Sequence, residues 1–104
     1  MSAPDYVAKA KLADLPPEST LAIDVDGVAA LLCHHDDEIF AIENRCSHLQ
    51  EPLACGRMRN GWIACPVHGA RFDLETGEAI TGPATTPVRT FAVRISGEMI
   101  EVAS

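Results

Sequence analysis

The stretch Asn44–Asp73, NRCSHLQEPLACGRMRNGWIACPVHGARFD, holds three of the chain's four cysteines and two of its four histidines. Cys46 stands two residues before His48 and Cys65 three before His68, with sixteen residues between the pairs. Asn60-Gly61 falls inside that interval and is a strong type I′ hairpin signal, because both residues accept positive φ. A hairpin joining Arg57–Arg59 to Trp62–Ala64 folds the chain back and can bring the two Cys/His pairs face to face. Two loops meeting tip to tip, each with one thiolate and one imidazole, make a four-ligand metal site.

Outward from this stretch the chain reads as strands. Tyr6–Lys11 semi-alternates, and Pro16-Pro17 bar a helix after it. Leu21–Asp24 runs into Asp26-Gly27, a second hairpin signal, and Val28–Cys33 is an apolar run of strand length. His34–Asp37 reads as a turn and Glu38–Ile42 as the returning strand. Glu75–Gly77 marks a tight turn, and Val88–Ile95 and Met99–Val102 close the chain as strands around Gly97. In Val88–Ile95, alternation sends Arg89, Phe91, Val93 and Ile95 to one face. No segment sustains a 3.6-residue apolar period over three turns. The expected fold is all-β: a single domain over 1–104, with an antiparallel meander or sandwich as its base. Residues 43–84 are expected to form a loop-rich subdomain inserted in that base.

Composition narrows the function. The net charge is −7, and it is unevenly placed. Residues 1–44 carry nine acids against Lys9 and Lys11, whereas residues 45–104 carry six acids and six arginines. The first part repels nucleic acid and the second offers no basic stripe, so a nucleic-acid role is not expected. No apolar leader or window of membrane-spanning length is evident, so the expected compartment is the cytoplasm. Thiols stay reduced there, and closely spaced Cys and His then favour a metal over a disulfide.

Zinc accepts two cysteines and two histidines, but structural zinc takes paired thiolates from one C-x2–4-C knuckle, which this chain lacks. Each loop repeats the same Cys-then-His order instead. That pattern suits a two-iron unit with both thiolates on one iron and both imidazoles on the other.

At CSHLQEPLACG and CPVHGARFDLETGEA the chain resembles the Rieske [2Fe–2S] family, whose cluster boxes read C-x-H and C-x-x-H-G. It is most similar to the small Rieske-type ferredoxins of bacterial aromatic-ring-hydroxylating dioxygenase systems. The resemblance implies the Rieske fold and one [2Fe–2S] cluster. It implies Cys46 and Cys65 on the inner iron and His48 and His68 on the outer iron. It implies a monomeric electron carrier, not an enzyme, docking transiently with a flavin-dependent ferredoxin reductase and a terminal Rieske non-haem iron oxygenase. Leu49, Gln50, Pro52, Gly69 and Pro83 are expected to rim the cluster and form the docking surface.

Departures from high-potential members of the family are informative. Their extra cysteine in each box corresponds to Glu51 and Val67, so the disulfide they carry cannot form. Their cluster-donating serine and tyrosine correspond to Ala70 and Phe72. Fewer donors leave the reduced cluster less stabilised, which implies a low potential. Cys33 is expected to be a buried structural thiol, Cys55 a free thiol outside both boxes, and His34 and His35 parts of an exposed turn. Arg57, Arg59 and Arg71 read as solubilising charges or partner contacts. Two competing readings are a Rieske-like small subunit of an assimilatory nitrite reductase and a zinc-stabilised binding module.

Overall fold

The computed structural model describes residues 5–45, 53–54, 56–66, 69–81 and 86–103. Ten strands are present among them: β1 (Val7–Lys11), β2 (Ser19–Val25), β3 (Val28–His35), β4 (Glu38–Glu43), β5 (Arg57–Arg59), β6 (Trp62–Ala64), β7 (Arg71–Asp73), β8 (Ala79–Thr81), β9 (Thr90–Ser96) and β10 (Met99–Ala103). A single 3-10 turn, Leu12–Asp14, follows β1. The strands form two antiparallel sheets, a six-stranded base ordered β1-β10-β9-β4-β3-β2 and a four-stranded sheet ordered β5-β6-β7-β8. Among the described residues no helix is long and apolar enough to cross a membrane.

Local turn chemistry explains the meanders. Asp26-Gly27 and Asn60-Gly61 both take positive φ, as a two-residue type I′ loop requires. Asp36 and Asp37 do the same at φ 49 and 63, which short polar side chains tolerate better than most. The β3–β4 turn is therefore Asp36-Asp37 alone, and His34 and His35 belong to β3. The expectation of an exposed histidine turn is corrected here: His35 is 4% exposed and His34 half-buried.

β3 is buried on both faces, and its period-2 alternation feeds two cores. Ala30 and Leu32 join Leu15, Val25, Ala41, Phe91, Ile100 and Val102 in one cluster. Leu31 and Cys33 point the other way and, with Ile42, meet Leu53, Ile63, Cys65, Ala70, Phe72, Leu74 and Val88. The second cluster is the contact layer between the sheets. Burying each large apolar side chain contributes about 1.5–3 kcal/mol. A one-residue slip of β3 against β4 would exchange the two sets, so the pairing of Leu31 with Ile42 and Cys33 with Phe40 is strongly fixed. Val88 and Arg89, expected to open the last long strand, instead precede β9. Val88 N–H donates to Gly77 and its side chain packs between the sheets.

Candidate metal centre

The β5–β6 hairpin turns where Asn60-Gly61 was expected to turn it, and β6 delivers the chain to Cys65. Cys65 N–H donates to Ala70 O at 2.7 Å, and Gly69 N–H donates back to Cys65 O at 2.9 Å. These bonds tie Cys65 to Gly69 and Ala70 at the end of the second box, and Gly69 takes φ +75 there. The Cys65 thiol is 2% exposed, in one apolar cluster with Leu53, Ala70 and Phe72.

The first box is held at its two ends. Glu43 N–H donates to Arg89 O, and Asn44 N–H donates to Ala29 O. Asn44 Oδ1 then accepts the Leu53 N–H at 2.8 Å, pinning residue 44 to residue 53 across the segment between them. Leu53 packs beside Cys65, and Thr20 Oγ1 on β2 donates to Ala54 O at 3.0 Å. Asn44 was not singled out from sequence, although its place two residues before Cys46 was visible there. Gly56 was also missed. A Cβ on it would lie 2.3 Å from Ala64 O and 2.9 Å from Leu53 O, so the base of the first loop touches the residue before Cys65.

Of the expected ligands, Cys65 is described. Cys46, His48 and His68 lie outside the described residues, as do Leu49, Gln50, Pro52 and Pro83 of the expected rim and Cys55. Gly69 is exposed at the second loop, where the rim was expected. Cys33 is fully buried in β3, and burial pushes its thiol up to about 12. A thiol so hard to ionise is a poor metal ligand, in keeping with a structural role. Cys33 and Cys65 form no disulfide. A buried soft thiol tied by its backbone to the end of its own box, with the ends of the other Cys/His box pinned beside it, suits an iron–sulfur group sheltered from water.

His35 is the buried polar residue of the described core, and it ties the two sheets together. Its Nε2 accepts the Gly61 N–H at 3.0 Å and its Nδ1 lies 2.7 Å from Glu18 Oε1. That pattern fixes the neutral ring with its proton on Nδ1, donated to Glu18. Asp36 Oδ2, 3.3 Å from Nε2, then receives no hydrogen bond from the ring. Glu18, His35 and Asp36 are close enough to surround a cation, but both ring nitrogens are engaged, and the trio is a structural brace.

The His35 hydrogen bond, then the Asp36 N–H, hold the Glu18 carboxyl below its ordinary value. A carboxyl depressed in the folded state adds stability above its unfolded pKa, near 4.3, and loses it as pH falls through the folded value. Denaturant midpoints are therefore expected to drop between about pH 5 and 3. Glu18→Gln should flatten that part of the profile, and an unchanged slope would contradict the brace.

A buried thiol held by backbone hydrogen bonds on a small antiparallel sheet, beside a meander base, suits a small all-β domain with a sheltered metal centre. The chain belongs to the Rieske [2Fe-2S] domain family, which matches residues 5–92, and it carries one Rieske-type [2Fe–2S] cluster. It is 38% identical over 90 residues to the 3-phenylpropionate/cinnamic acid dioxygenase ferredoxin subunit of Shigella boydii, covering 86% of this chain and 84% of that protein. It is 37% identical to the solved ferredoxin of carbazole 1,9a-dioxygenase from Nocardioides aromaticivorans, with a TM-score of 0.89, covering 94% of this chain and 96% of that one. A chain in a complex of reduced oxygenase and oxidized ferredoxin of carbazole 1,9a-dioxygenase matches at 25% identity and TM-score 0.86, covering 94% and 92%. A putative nitrite reductase small subunit matches at 19% identity and TM-score 0.84, covering 96% and 99%, which shows a shared fold alone.

Proposed function

We propose that this chain is the ferredoxin component of an aromatic-ring-hydroxylating dioxygenase system, an electron carrier and not itself a catalyst. The end-to-end match to a dioxygenase ferredoxin at 37% identity carries the reading. Residues 43–84 form the cluster-binding subdomain of one domain. Cys46 and Cys65 are its thiolate ligands to one iron, and His48 and His68 its imidazole ligands to the other. The support for Cys65 is its burial and the backbone bonds that tie it to Gly69 and Ala70. When bound, the cluster supplies reversible one-electron chemistry.

The chain's own residues hold the centre and keep water out. Ala70 and Phe72 are both 0% exposed, pack in the cluster that contains Cys65 and carry no hydroxyl to donate. A redox titration is expected to give a midpoint at the low end of the roughly −150 to +300 mV range of Rieske centres. A clearly positive midpoint would contradict the role given to these two side chains.

The reading extends to a monomer in the cytoplasm that takes electrons from a flavin-dependent reductase and delivers them to a terminal oxygenase. Encounters are brief and steered by charge, so turnover should fall as salt rises. The test is anaerobic purification followed by visible and EPR spectra and iron and acid-labile sulfide analysis. A coupled assay with a flavin-dependent ferredoxin reductase and a terminal Rieske oxygenase follows. A Rieske spectrum with electron delivery supports the proposal; a colourless protein carrying zinc defeats it.

A further inference from the structure

The four-stranded sheet has two chemically distinct faces. Met58, Ile63, Phe72 and Ala79 alternate inward and belong to the core between the sheets. The same alternation, with Arg57 opposite Ala64 opposite Arg71 and Arg59 opposite Trp62 opposite Asp73, puts these six residues on the other face. The three arginines are exposed, and Arg71 lies over the Trp62 ring with its Cζ 4.3 Å from the centroid. Strand spacing and rise place the three arginine Cα atoms within a patch of about 10 by 7 Å.

Among the described residues no carboxylate pairs with Arg57, Arg59 or Arg71. Asp73, the face's own acid, turns Oδ1 back to the amides of Glu75 and Thr76 at 2.8 and 3.0 Å. A concentrated cationic face therefore stands on a chain of net charge −7. Its residue types are those of interfaces: arginine and tryptophan are enriched where proteins bind, and lysine is depleted. Both lysines of the chain, Lys9 and Lys11, lie elsewhere, on β1. Guarding a sheet edge would require charge on β5 alone, yet Arg71 stands on the third strand of the patch.

We propose that the Arg57–Arg59–Trp62–Arg71 face docks a carboxylate-rich protein surface on one of the chain's redox partners. The inference rests on the electron-carrier reading and adds to it the chemistry of a partner. The guanidiniums meet carboxylates in paired geometry, and Trp62 with the stacked Arg71 supplies the flat apolar contact at their centre. The remaining surface, net acidic, repels the same partner and so orients it.

Trp62 is the chain's one tryptophan, so its indole N–H gives a single resonance in the 15N-labelled oxidised holoprotein. Titration with a hexadecaglutamate peptide at low salt is expected to shift that resonance saturably, and Arg57→Glu with Arg59→Glu to weaken binding at least about tenfold. Arg71→Glu should weaken it independently. The double variant should also slow the bimolecular rate with the reductase or the oxygenase by about tenfold, with cluster spectrum and midpoint potential unchanged. Any of four results overturns the proposal: no indole shift, a shift indifferent to the variants, a DNA 16-mer binding as tightly as the peptide, or unchanged rates with both redox partners. An indole shift produced by raising the protein concentration alone would assign the face to a second copy and overturn it as well. A missing cluster spectrum would instead defeat the electron-carrier reading, while the peptide titration still reports on the face.

Discussion

Cys65→Ala protein, purified anaerobically, is expected to be colourless, with iron and acid-labile sulfide at background. The thiol sits 2% exposed beside the Cys65–Ala70 and Gly69–Cys65 hydrogen bonds, and no other described thiol shares that place. Removing one buried sulfur costs about 1 kcal/mol in packing. Any larger loss of thermal stability therefore reports the free energy by which cluster binding supports the fold. Cys33→Ala is the matched control. Its thiol is equally buried, held up at about 12 by burial and fixed on β3 in the core between the sheets, so this variant should keep full colour. His48→Cys gives a third outcome: a retained cluster, if the protein folds, at a lower potential, because a thiolate adds negative charge where an imidazole adds none. Full colour in Cys65→Ala would overturn the assignment of that ligand.

Gly56→Ala is expected to destabilise the protein by about 2–4 kcal/mol and to lower its cluster occupancy. The added methyl would meet Ala64 O at 2.3 Å, Leu53 O at 2.9 Å and Ile63 Cγ1 at 3.0 Å. Two of these are backbone oxygens, which cannot swing aside as a side-chain tip can. One lies on the residue before Cys65 and the other on the residue pinned to Asn44, so relief must separate the bases of the two loops. Gly97→Ala calibrates the result. Gly97 has φ +60 and nothing within 4 Å of its would-be Cβ, so that variant pays backbone strain alone, about 1 kcal/mol. Equal denaturant midpoints for the two variants would refute the close-approach explanation.

The contrast between these glycines shows what could be read in advance. Asn60-Gly61 and Asp26-Gly27 announced their hairpins because positive φ is a property of the residue itself. Gly56 gave no such sign, since its requirement comes from a carbonyl eight residues away. The Cys-x-His and Cys-x-x-His boxes could be proposed as ligands from sequence because ligation chemistry needs particular side chains at short spacing. The brace made by His35 was not: its partners are seventeen and twenty-six residues distant, and beside two aspartates it looked like part of a solvated turn.

By itself, then, the amino-acid order determined most of the strands and their local turns and pointed to a centre with soft donors, all of which are matters of a few residues. Tertiary structure alone decided that β4 pairs with β9 across the inserted sheet and β1 with β10. It decided too that one face of β3 packs against Cys65 and that three arginines from two strands share a face with Trp62. Those outcomes depend on which distant surfaces exclude water together, and no short stretch of chain carries that information.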